Sequence, residues 1–319
     1  MQIGFHASHE QIPPSALLAA VQLAEQAGFD AAMCSDHFSP WSSQQGESGY
    51  AWAWLGAAMQ STSLPMGVVN APGQRYHPAI VAQSIATLAE MFPGRFWAAL
   101  GSGEASNEHI TGDRWPAKRD RDARLLECVG IIRALLDGDE VSHRGHVIVD
   151  RARLWTLPSE PPALFGAAVS AATARVVGSW SDGLITVDQP LEVLRAVIDG
   201  FRSNGGADKP VAVQVHLSWA RSEAEAERVA LDQWGANVFP SELMWNLELV
   251  EQFDALRSFT SADHVRRSVL VSSDPAVHAA HLADLRELGV DQVYLHHVGQ
   301  TQHEFLDTFG EHVLPELRS

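Results

Sequence analysis

Short apolar runs alternate with longer amphipathic stretches along most of the chain. Eight runs have the length and composition of buried strands: IGF (3–5), AAM (31–33), MGVV (66–69), FWAAL (96–100), ALFGAA (163–168), GLITV (183–187), VAVQVHL (211–217) and QVYLHHV (292–298). Helical periodicity occupies 13–28, 77–92, 121–136, 171–180, 191–201 and 275–289. Several of these stretches end at a glycine suited to a left-handed cap, notably Gly28 and Gly289. The alternation predicts an α/β fold, a (β/α)8 TIM barrel rather than a doubly wound sheet.

Two long connections interrupt this alternation. The first, at about 139–160, has alternating character and predicts a small hairpin. The second, at about 220–274, contains the helical RSEAEAERVALDQW and the aromatic VFPSELMW, which suggests an apolar lid. Insertions of this size usually cover an active-site face, so we expect both over the C-terminal mouth of the barrel. Because no Pro/Gly-rich linker divides the chain, residues 1–319 are predicted to form a single domain.

The composition and the charge of the chain limit the kinds of molecule that it can bind. The chain has 319 residues, 46% of them hydrophobic, and a formal net charge of −17, which opposes binding to nucleic acid and to anionic membranes. No apolar stretch approaches the roughly 18 residues of a membrane span. Cys34 and Cys128 form no CxxC motif, and MQIGFHASHE lacks the features of a signal peptide. We therefore expect a cytoplasmic protein that acts on a small molecule.

Polar side chains end or follow seven of the eight predicted strands. They are His6, Ser35, Asp36, His37, Asn70, Glu104, Ser170, His216, His296 and His297. In a (β/α)8 barrel the loops that follow the strands share one mouth, where catalytic groups lie. We therefore expect these groups to meet there, although any single one also suits a strand end or a helix cap.

Three residues of this set are candidates for a specific chemical role. His37 beside Asp36 is a candidate general acid or base, because imidazole titrates near neutrality and a carboxylate can orient it. Glu104, in LGSGEASNE, is a candidate proton carrier, and its alternative role is to stabilise a helix N-terminus. Ser170, in GAAVSAATAR, suits a phosphate site at a helix start or an ordinary N-cap.

The histidines also raise the question of a metal. HASH (6–9), HRGH (143–146) and HH (296–297) match no zinc motif with a distant carboxylate, so no metal ligand is predicted. A metal-dependent barrel hydrolase using His6, His37, His216 and His296 is the alternative enzyme class. Nucleophilic catalysis is not favoured, because no GxSxG motif is present.

The sequence resembles the luciferase-like flavin-dependent oxidoreductases over almost its whole length. The closest resemblance is to the branch of coenzyme F420-dependent glucose-6-phosphate dehydrogenases. The motifs that carry it are SDHFSPW (35–41), RYHPAIVAQSIATLAEMFPGR (75–95), LGSGEASNE (100–108), SDGLIT (181–186) and SSDP (272–275).

The resemblance implies a flavin or deazaflavin at the barrel mouth and a homodimer. The residues expected to bind the cofactor are Asp36, Val68, Val69, Asn70, Ala71, Gly103, Glu104, Ala168, Val169 and Ser170. His37 is implied as base or stabiliser at the reacting hydroxyl, Trp41 as its stacking or hydrogen-bonding neighbour, and Glu104 as proton donor. The resemblance also implies a non-prolyl cis peptide at Val68–Val69.

Departures from that branch change the expected substrate and cofactor. The two lysines and the arginine that hold a sugar phosphate correspond to Glu192, Met244 and about Ser268, so glucose 6-phosphate is not the expected substrate. Val169, Ser170 and Ala71 replace residues of the deazaflavin site, which favours FMN over F420.

The predicted activity is therefore hydride transfer between this cofactor and an alcohol, carbonyl or activated alkene, or flavin monooxygenation. A non-catalytic flavin-binding protein is the alternative from another class.

Overall fold

The computed structural model describes residues 1–318. Its strands are β1 Gln2–Ala7, β2 Ala31–Ser35, β3 Met66–Asn70, β4 Phe96–Leu100, β5 Val141–Arg144, β6 Ile148–Ala152, β7 Leu164–Ala167, β8 Gly183–Val187, β9 Val211–Ser218, β10 Leu270–Val271 and β11 Gln292–His297. All eight strands predicted from the apolar runs are present. The sequence did not indicate the two-residue strand β10.

Eight parallel strands close into a barrel. They pair in the order β9, β11, β1, β2, β3, β4, β7 and β8, and β8 pairs again with β9. β10 extends the sheet beside β9. The prediction of a (β/α)8 TIM barrel is confirmed.

Helices surround the barrel. They are α1 Pro14–Gln26, α2 Ala51–Ser61, α3 Pro78–Met91, α4 Ala105–Glu108, α5 Lys118–Leu136, α6 Ala171–Gly178, α7 Leu191–Phe201, α8 Glu223–Trp234, α9 Ser241–Met244, α10 Val250–Arg257, α11 Ala262–Val265, α12 Pro275–Glu287, α13 His303–His312 and α14 Leu314–Arg318. All six helices expected between strands are present. Within residues 1–318 no helix is long and apolar enough to cross a membrane.

Local sequence explains where several helices begin and end. Proline occupies the first turn of α1, α3 and α12, where its missing N–H costs no hydrogen bond. Gly28 and Gly289 follow α1 and α12 with φ of 92° and 85°, as the predicted caps require. Helix α2 was missed because AWAWLGAAMQS is apolar on several sides and lacks a clear helical stripe.

The strands separate two apolar layers. Side chains at alternate strand positions point outward to the helices or inward to the barrel axis. The inward layer consists of Ala31, Met33, Trp97, Ala99, Phe165, Ile185, Ala212 and Tyr294. This layer fills the barrel below its C-terminal mouth, so the residues above it form the floor of any site there.

The two insertions lie in different places. The first forms the predicted hairpin β5–β6, but it contacts the outer helices: His143 Nε2 lies 3.0 Å from Glu127 Oε2, and His77 Nε2 lies 2.9 Å from the Ile148 carbonyl oxygen. None of its residues contributes to the wall of the C-terminal cavity, contrary to expectation. The second insertion carries α8 to α11 and does cover the mouth.

Candidate active site

A cavity of about 490 Å³ opens at the C-terminal end of the barrel. Its floor consists of inward-pointing residues one step above the inner apolar layer. On β1, β2, β9 and β11 these are polar: His6, Ser35, Gln214, His216 and His296. On β3, β7 and β8, and directly after β4, they are small or apolar: Val69, Ala167, Val187 and Gly101. The cavity therefore has a polar half and an apolar half.

His37 lies in this cavity and is paired with Glu10. Its Nδ1 atom lies 2.9 Å from Glu10 Oε1, and the two side chains are 18% and 4% exposed. Ser8 Oγ donates to the other oxygen of Glu10 at 2.7 Å. Burial alone would lower the pKa of His37, but the charge and hydrogen bond of Glu10 outweigh it and raise the pKa to about 9. Burial opposes ionisation of Glu10 as well, yet His37 brings the pKa of Glu10 down to about 2.

Glu104 lines the same cavity and lies just before α4, in the loop that follows β4. Its Oε2 atom accepts a 3.4 Å hydrogen bond from Asn107 Nδ2. Burial raises the pKa of Glu104, with His37 opposing the shift and Glu10 and Glu108 adding to it. A shift in this direction favours the protonated carboxyl group, which suits a group that is to donate a proton.

Asp36 belongs to a buried polar cluster at the edge of the cavity. Asn70 Nδ2 donates to Asp36 Oδ2 at 2.8 Å, and Arg75 Nη2 donates to the Asp36 carbonyl oxygen at 2.7 Å. The Arg75 backbone N–H donates to Glu108 Oε2 at 2.6 Å. Asp36 Oδ1 and Asn70 Oδ1 are buried without a partner among residues 1–318. Two acceptors are therefore available to a ligand at this edge.

Three histidines of the polar half are held neutral. Burial lowers the pKa of His6 to about 3 and the pKa of His216 to about 4, and it lowers the pKa of His296 well below its ordinary value. Gln214 Nε2 lies 3.1 Å from His216 Nε2 and 3.2 Å from His296 Nδ1. Because an amide nitrogen only donates, both ring atoms accept, which leaves the proton of His296 on Nε2, 2.6 Å from Gln11 Oε1.

Aromatic side chains cover the cavity from one side. Trp234 packs on His216 and His296, with ring centroids 4.5 and 4.9 Å away. Trp41 lies 5.2 Å from the His37 ring, edge to face. The lid residues Phe239, Met244 and Trp245 also line the cavity, and they come from the stretch expected to form an apolar lid.

Most residues predicted for the site line this one cavity. They are Asp36, His37, Trp41, Val69, Asn70, Ala71, Gly103, Glu104, Ala168, Val169, His6, Ser35, His216 and His296. Their roles in catalysis and cofactor binding stay predictions, because position alone does not assign a role.

Three predicted residues lie elsewhere. Val68 precedes the inward-pointing Val69, and His297 follows the inward-pointing His296. Because side chains alternate along a strand, Val68 and His297 point outward. Val68 packs in the outer core, and the His297 ring stacks on Phe305 of α13 at 4.9 Å. Ser170 caps α6, accepting from the Thr173 N–H at 3.4 Å, as its alternative interpretation required.

The expected cis peptide at Val68–Val69 is also absent. No cis bond occurs within the described part of the chain. Val69 continues the strand in register with Ser35 on one side and Ala99 on the other, and Asn70 pairs with Leu100. The extended strand thus runs through this segment without interruption.

Several residues that line the cavity were not predicted from the sequence. Glu10, Arg75, Gln214 and Asn237 line the cavity, as does Glu108. Glu10 follows β1 by three residues, the same kind of position that pointed to His37, so the sequence held a usable signal. For Asn237, in a long insertion, no such signal exists.

The residues of the metal-hydrolase alternative do not form a metal site. Within residues 1–318 no group of three His, Cys, Asp or Glu side chains is arranged to hold a metal ion. His37 is engaged by Glu10, and His296 by Gln11 and Gln214. This geometry gives no support to that alternative.

The apolar half of the cavity fits a planar flavin-type ring. Gly101, Gly103, Ala71, Ala167 and Ala168 present little more than backbone there. Gly103 has φ of 85°, and a Cβ atom at this position would lie 3.3 Å from Ala71 Cβ. A flat ring could lie on this surface with its polar edge toward the unpaired acceptors of Asp36 and Asn70.

Comparisons with known proteins agree on one family. The sequence profile of the luciferase-like monooxygenases matches residues 1–292. An F420-dependent glucose-6-phosphate dehydrogenase of Beutenbergia cavernae is 34% identical, covering 100% of this chain and 98% of the relative. An F420-dependent hydroxymycolic acid dehydrogenase of Mycobacterium tuberculosis is 33% identical, covering 99% of this chain and 88% of the relative.

A solved structure is also similar over the full length. It is an F420-dependent secondary alcohol dehydrogenase in complex with an F420-acetone adduct. Its TM-score is 0.91 at 28% identity, with 100% of this chain and 99% of that chain covered.

Proposed function

Because this chain belongs to the luciferase-like monooxygenase family of flavin-type oxidoreductases, we propose that it is an F420-dependent alcohol dehydrogenase. In this proposal a hydride moves between F420 and an uncharged alcohol or the corresponding carbonyl. The observation that carries it is the His37–Glu10 pair inside the cavity.

The choice of F420 rests on the relatives. The glucose-6-phosphate, hydroxymycolic acid and secondary alcohol dehydrogenases are all F420-dependent by name, at 28 to 34% identity over the whole chain. FMN, favoured by Val169, Ser170 and Ala71, is the alternative cofactor for the same site. Bound F420 would supply the hydride acceptor or donor.

His37 would handle the proton of the reacting hydroxyl. In alcohol oxidation the hydroxyl proton would pass to neutral His37, the carbon that bears the hydroxyl would give up its hydride to the cofactor, and a carbonyl would form. In the reverse direction protonated His37 returns the proton to the carbonyl oxygen. Because its pKa is raised to about 9, His37 is protonated at neutral pH, which favours reduction there and oxidation at higher pH.

Glu104 and Trp41 would assist this step. Glu104 is half-buried and desolvation raises its pKa, which suits a proton donor to the cofactor. Trp41 packs on His37 and on Phe253 at 5.5 Å, so it restricts the His37 ring and excludes water beside it.

The charges in the cavity argue against a phosphorylated substrate. Glu192 and Met244 occupy two of the positions at which the sugar-phosphate enzymes have cations. Glu192 is exposed on α7, and Met244 is apolar. Arg75 is engaged by Asp36 and Glu108, and Lys118 by Asp122 at 2.8 Å. Protonated His37 is paired with Glu10, and Arg267 is the remaining arginine or lysine that lines the cavity within residues 1–318. One exposed arginine is a weak substitute for three cations.

Cofactor titration and turnover test the proposal. The purified protein is titrated with F420 and with FMN, and reduction of F420 is followed spectroscopically with secondary alcohols and with glucose 6-phosphate at pH 9. We expect F420 binding, turnover of neutral alcohols and none of glucose 6-phosphate. The variants His37→Ala and Glu104→Gln should lose roughly 100-fold or more in kcat.

Cofactor affinity is the control for these variants. Both should still bind F420, because neither change removes the small residues that form the apolar half of the cavity. Binding of FMN alone would replace the cofactor in the proposal, and normal turnover by both variants would discard the proposed roles of His37 and Glu104.

A homodimer is also proposed, from the family resemblance alone. Light scattering after size exclusion would show a mass near twice the 34.7 kDa of the chain. A monomer would refute this part of the proposal.

A further inference from the structure

Asn237 presents an unsatisfied amide to the cavity. Its Nδ2 and Oδ1 atoms are both buried, and neither has a hydrogen-bond partner within residues 1–318. The residue lines the cavity and lies just before the aromatic lid stretch. An unpaired buried amide weakens the folded state, so such a group is commonly completed by water or a ligand.

Trp234 connects Asn237 to the polar half of the floor. The Asn237 backbone N–H donates to the Trp234 carbonyl oxygen at 2.9 Å, and the Trp234 ring packs on His216 and His296. His6 stacks on His296 at 4.4 Å. Asn237 and the three histidines therefore line one cavity and are linked through Trp234.

His6 adds a second unsatisfied atom. The residue is 3% exposed, its Nε2 atom lies 3.4 Å from Ser35 Oγ, and its Nδ1 atom is buried without a partner in the described chain. Burial also keeps His6 and His216 uncharged, because it lowers the pKa of His6 to about 3 and the pKa of His216 to about 4. This part of the cavity thus offers hydrogen bonds without formal charge.

The pattern of donors and acceptors selects the group that fits. An amide offers both a donor and an acceptor, whereas phosphate and carboxylate groups only accept and ammonium groups only donate. A hydroxyl group does both and carries no charge. A hydroxyl group is therefore the simplest substituent that satisfies Asn237 beside a neutral imidazole.

We propose that Asn237 and His6 bind a second, non-reacting hydroxyl group of the substrate, which would make the substrate a diol or an unphosphorylated polyol. This inference rests on the proposed function, because it needs an alcohol whose first hydroxyl reacts at His37. It makes Asn237 a residue that determines specificity and not one that takes part in the chemical step.

Carbon-matched alcohols test this inference. The holoenzyme is assayed with cyclohexanol and with 1,2-, 1,3- and 1,4-cyclohexanediol, and kcat/KM is measured for each. We expect at least one diol to exceed cyclohexanol by about 100-fold, because a site built around a hydroxyl discriminates strongly against the analogue that lacks it. Asn237→Leu, which keeps the size and removes the amide, should reduce that ratio to about ten-fold or less.

The outcomes separate the two proposals. Absence of turnover with every alcohol and either cofactor would overturn the proposed function. Turnover of cyclohexanol and the diols with similar kcat/KM would overturn the second hydroxyl site alone. Equal losses on all substrates in Asn237→Leu, with F420 affinity unchanged, would also overturn it, because the residue would then act through lid structure. Asn237→Asp, of the same shape and with acceptors kept, should retain more diol preference than the leucine variant.

Discussion

The pairing of Glu10 with His37 decides at which pH the site can accept a proton. The two residues are 27 positions apart and meet at 2.9 Å because β1 and β2 are neighbours in the barrel. Without Glu10, burial would be the main influence on His37 and would favour the neutral ring. The carboxylate therefore acts through His37, as a positioning and charge-setting residue.

Replacing Glu10 should move the pH profile of alcohol oxidation to lower pH. The neutral form of His37 is the base, so wild-type kcat/KM should rise with pH through about 9. In Glu10→Gln the pKa of His37 falls, and the rise should occur below about pH 7. The measurement is kcat/KM from pH 5 to 10.

A distant carboxylate provides the control for this profile. Glu90 is exposed on α3, and Glu90→Gln should leave the rise where it is in the wild type. A Glu10→Gln profile that still rises near pH 9 would show that Glu10 does not control His37.

At the scale of secondary structure elements, glycines make room for the aromatic rings inside the barrel. Trp97 on β4 lies against Gly67 on β3, and Tyr294 on β11 lies against Gly4 on β1. Phe165 on β7 faces Gly183 on β8 in the same way. These close approaches let three large rings fill the barrel below the site.

Gly67→Ala should destabilise the protein. A Cβ atom at position 67 would overlap the Trp97 indole, which is 8% exposed and enclosed by the inner layer. Overpacking of this kind typically lowers the free energy of unfolding by about 1–3 kcal/mol. Urea unfolding at neutral pH measures the change.

Gly56→Ala is the matched control on helix α2. Nothing lies within 4 Å of a Cβ atom at that position, so this change should stabilise the protein by about 0.5–1 kcal/mol. Equal effects of the two substitutions would contradict the packing of Trp97 against Gly67.

At the scale of the whole molecule, buried histidines tie stability to pH. Burial lowers the pKa of His6, His216 and His297 to between about 3 and about 4. The unfolded chain therefore binds more protons below pH 6.5, and the stability that these neutral histidines contribute is lost as pH falls from 6.5 toward 4. His37 has the opposite sign: its contribution is complete below pH 6.5 and is lost as pH rises toward 9.

The free energy of unfolding should therefore be greatest near pH 6.5. His297 lies outside the cavity, so His297→Asn tests the acid side without touching the site. Its free energy of unfolding should fall less steeply below pH 6.5, by up to about 1.4 kcal/mol per pH unit. Denaturant unfolding between pH 4.5 and 9 gives these slopes.

His303→Asn is the control for that slope. The His303 side chain is 70% exposed and its Nδ1 atom lies 3.0 Å from Asp307 Oδ2, so its removal should change the acid slope less than removal of the enclosed His297. An unaltered acid slope in His297→Asn would mean that His297 takes up its proton equally in the folded and unfolded chain.

The sequence by itself determined the barrel, because strand and helix periods are local properties. Eight apolar runs and the intervening amphipathic stretches predicted every barrel strand, and their ends located His37, Glu104 and His216 at one mouth. The same period of two separates inward His296 from outward His297, and Val69 from Val68. The strand period therefore already distinguishes inward from outward residues, whereas residue type alone placed Val68 and His297 in the site.

Only the tertiary structure decided which side chains touch. The Glu10–His37 pair and the Asp36–Asn70–Arg75 cluster join segments separated by 27 to 39 residues. The positions of the two insertions were decided in the same way, since one packs on the outer helices and the other over the mouth. Contacts and burial set proton affinity and hydrogen-bond satisfaction, and neither has a local period that a sequence can display.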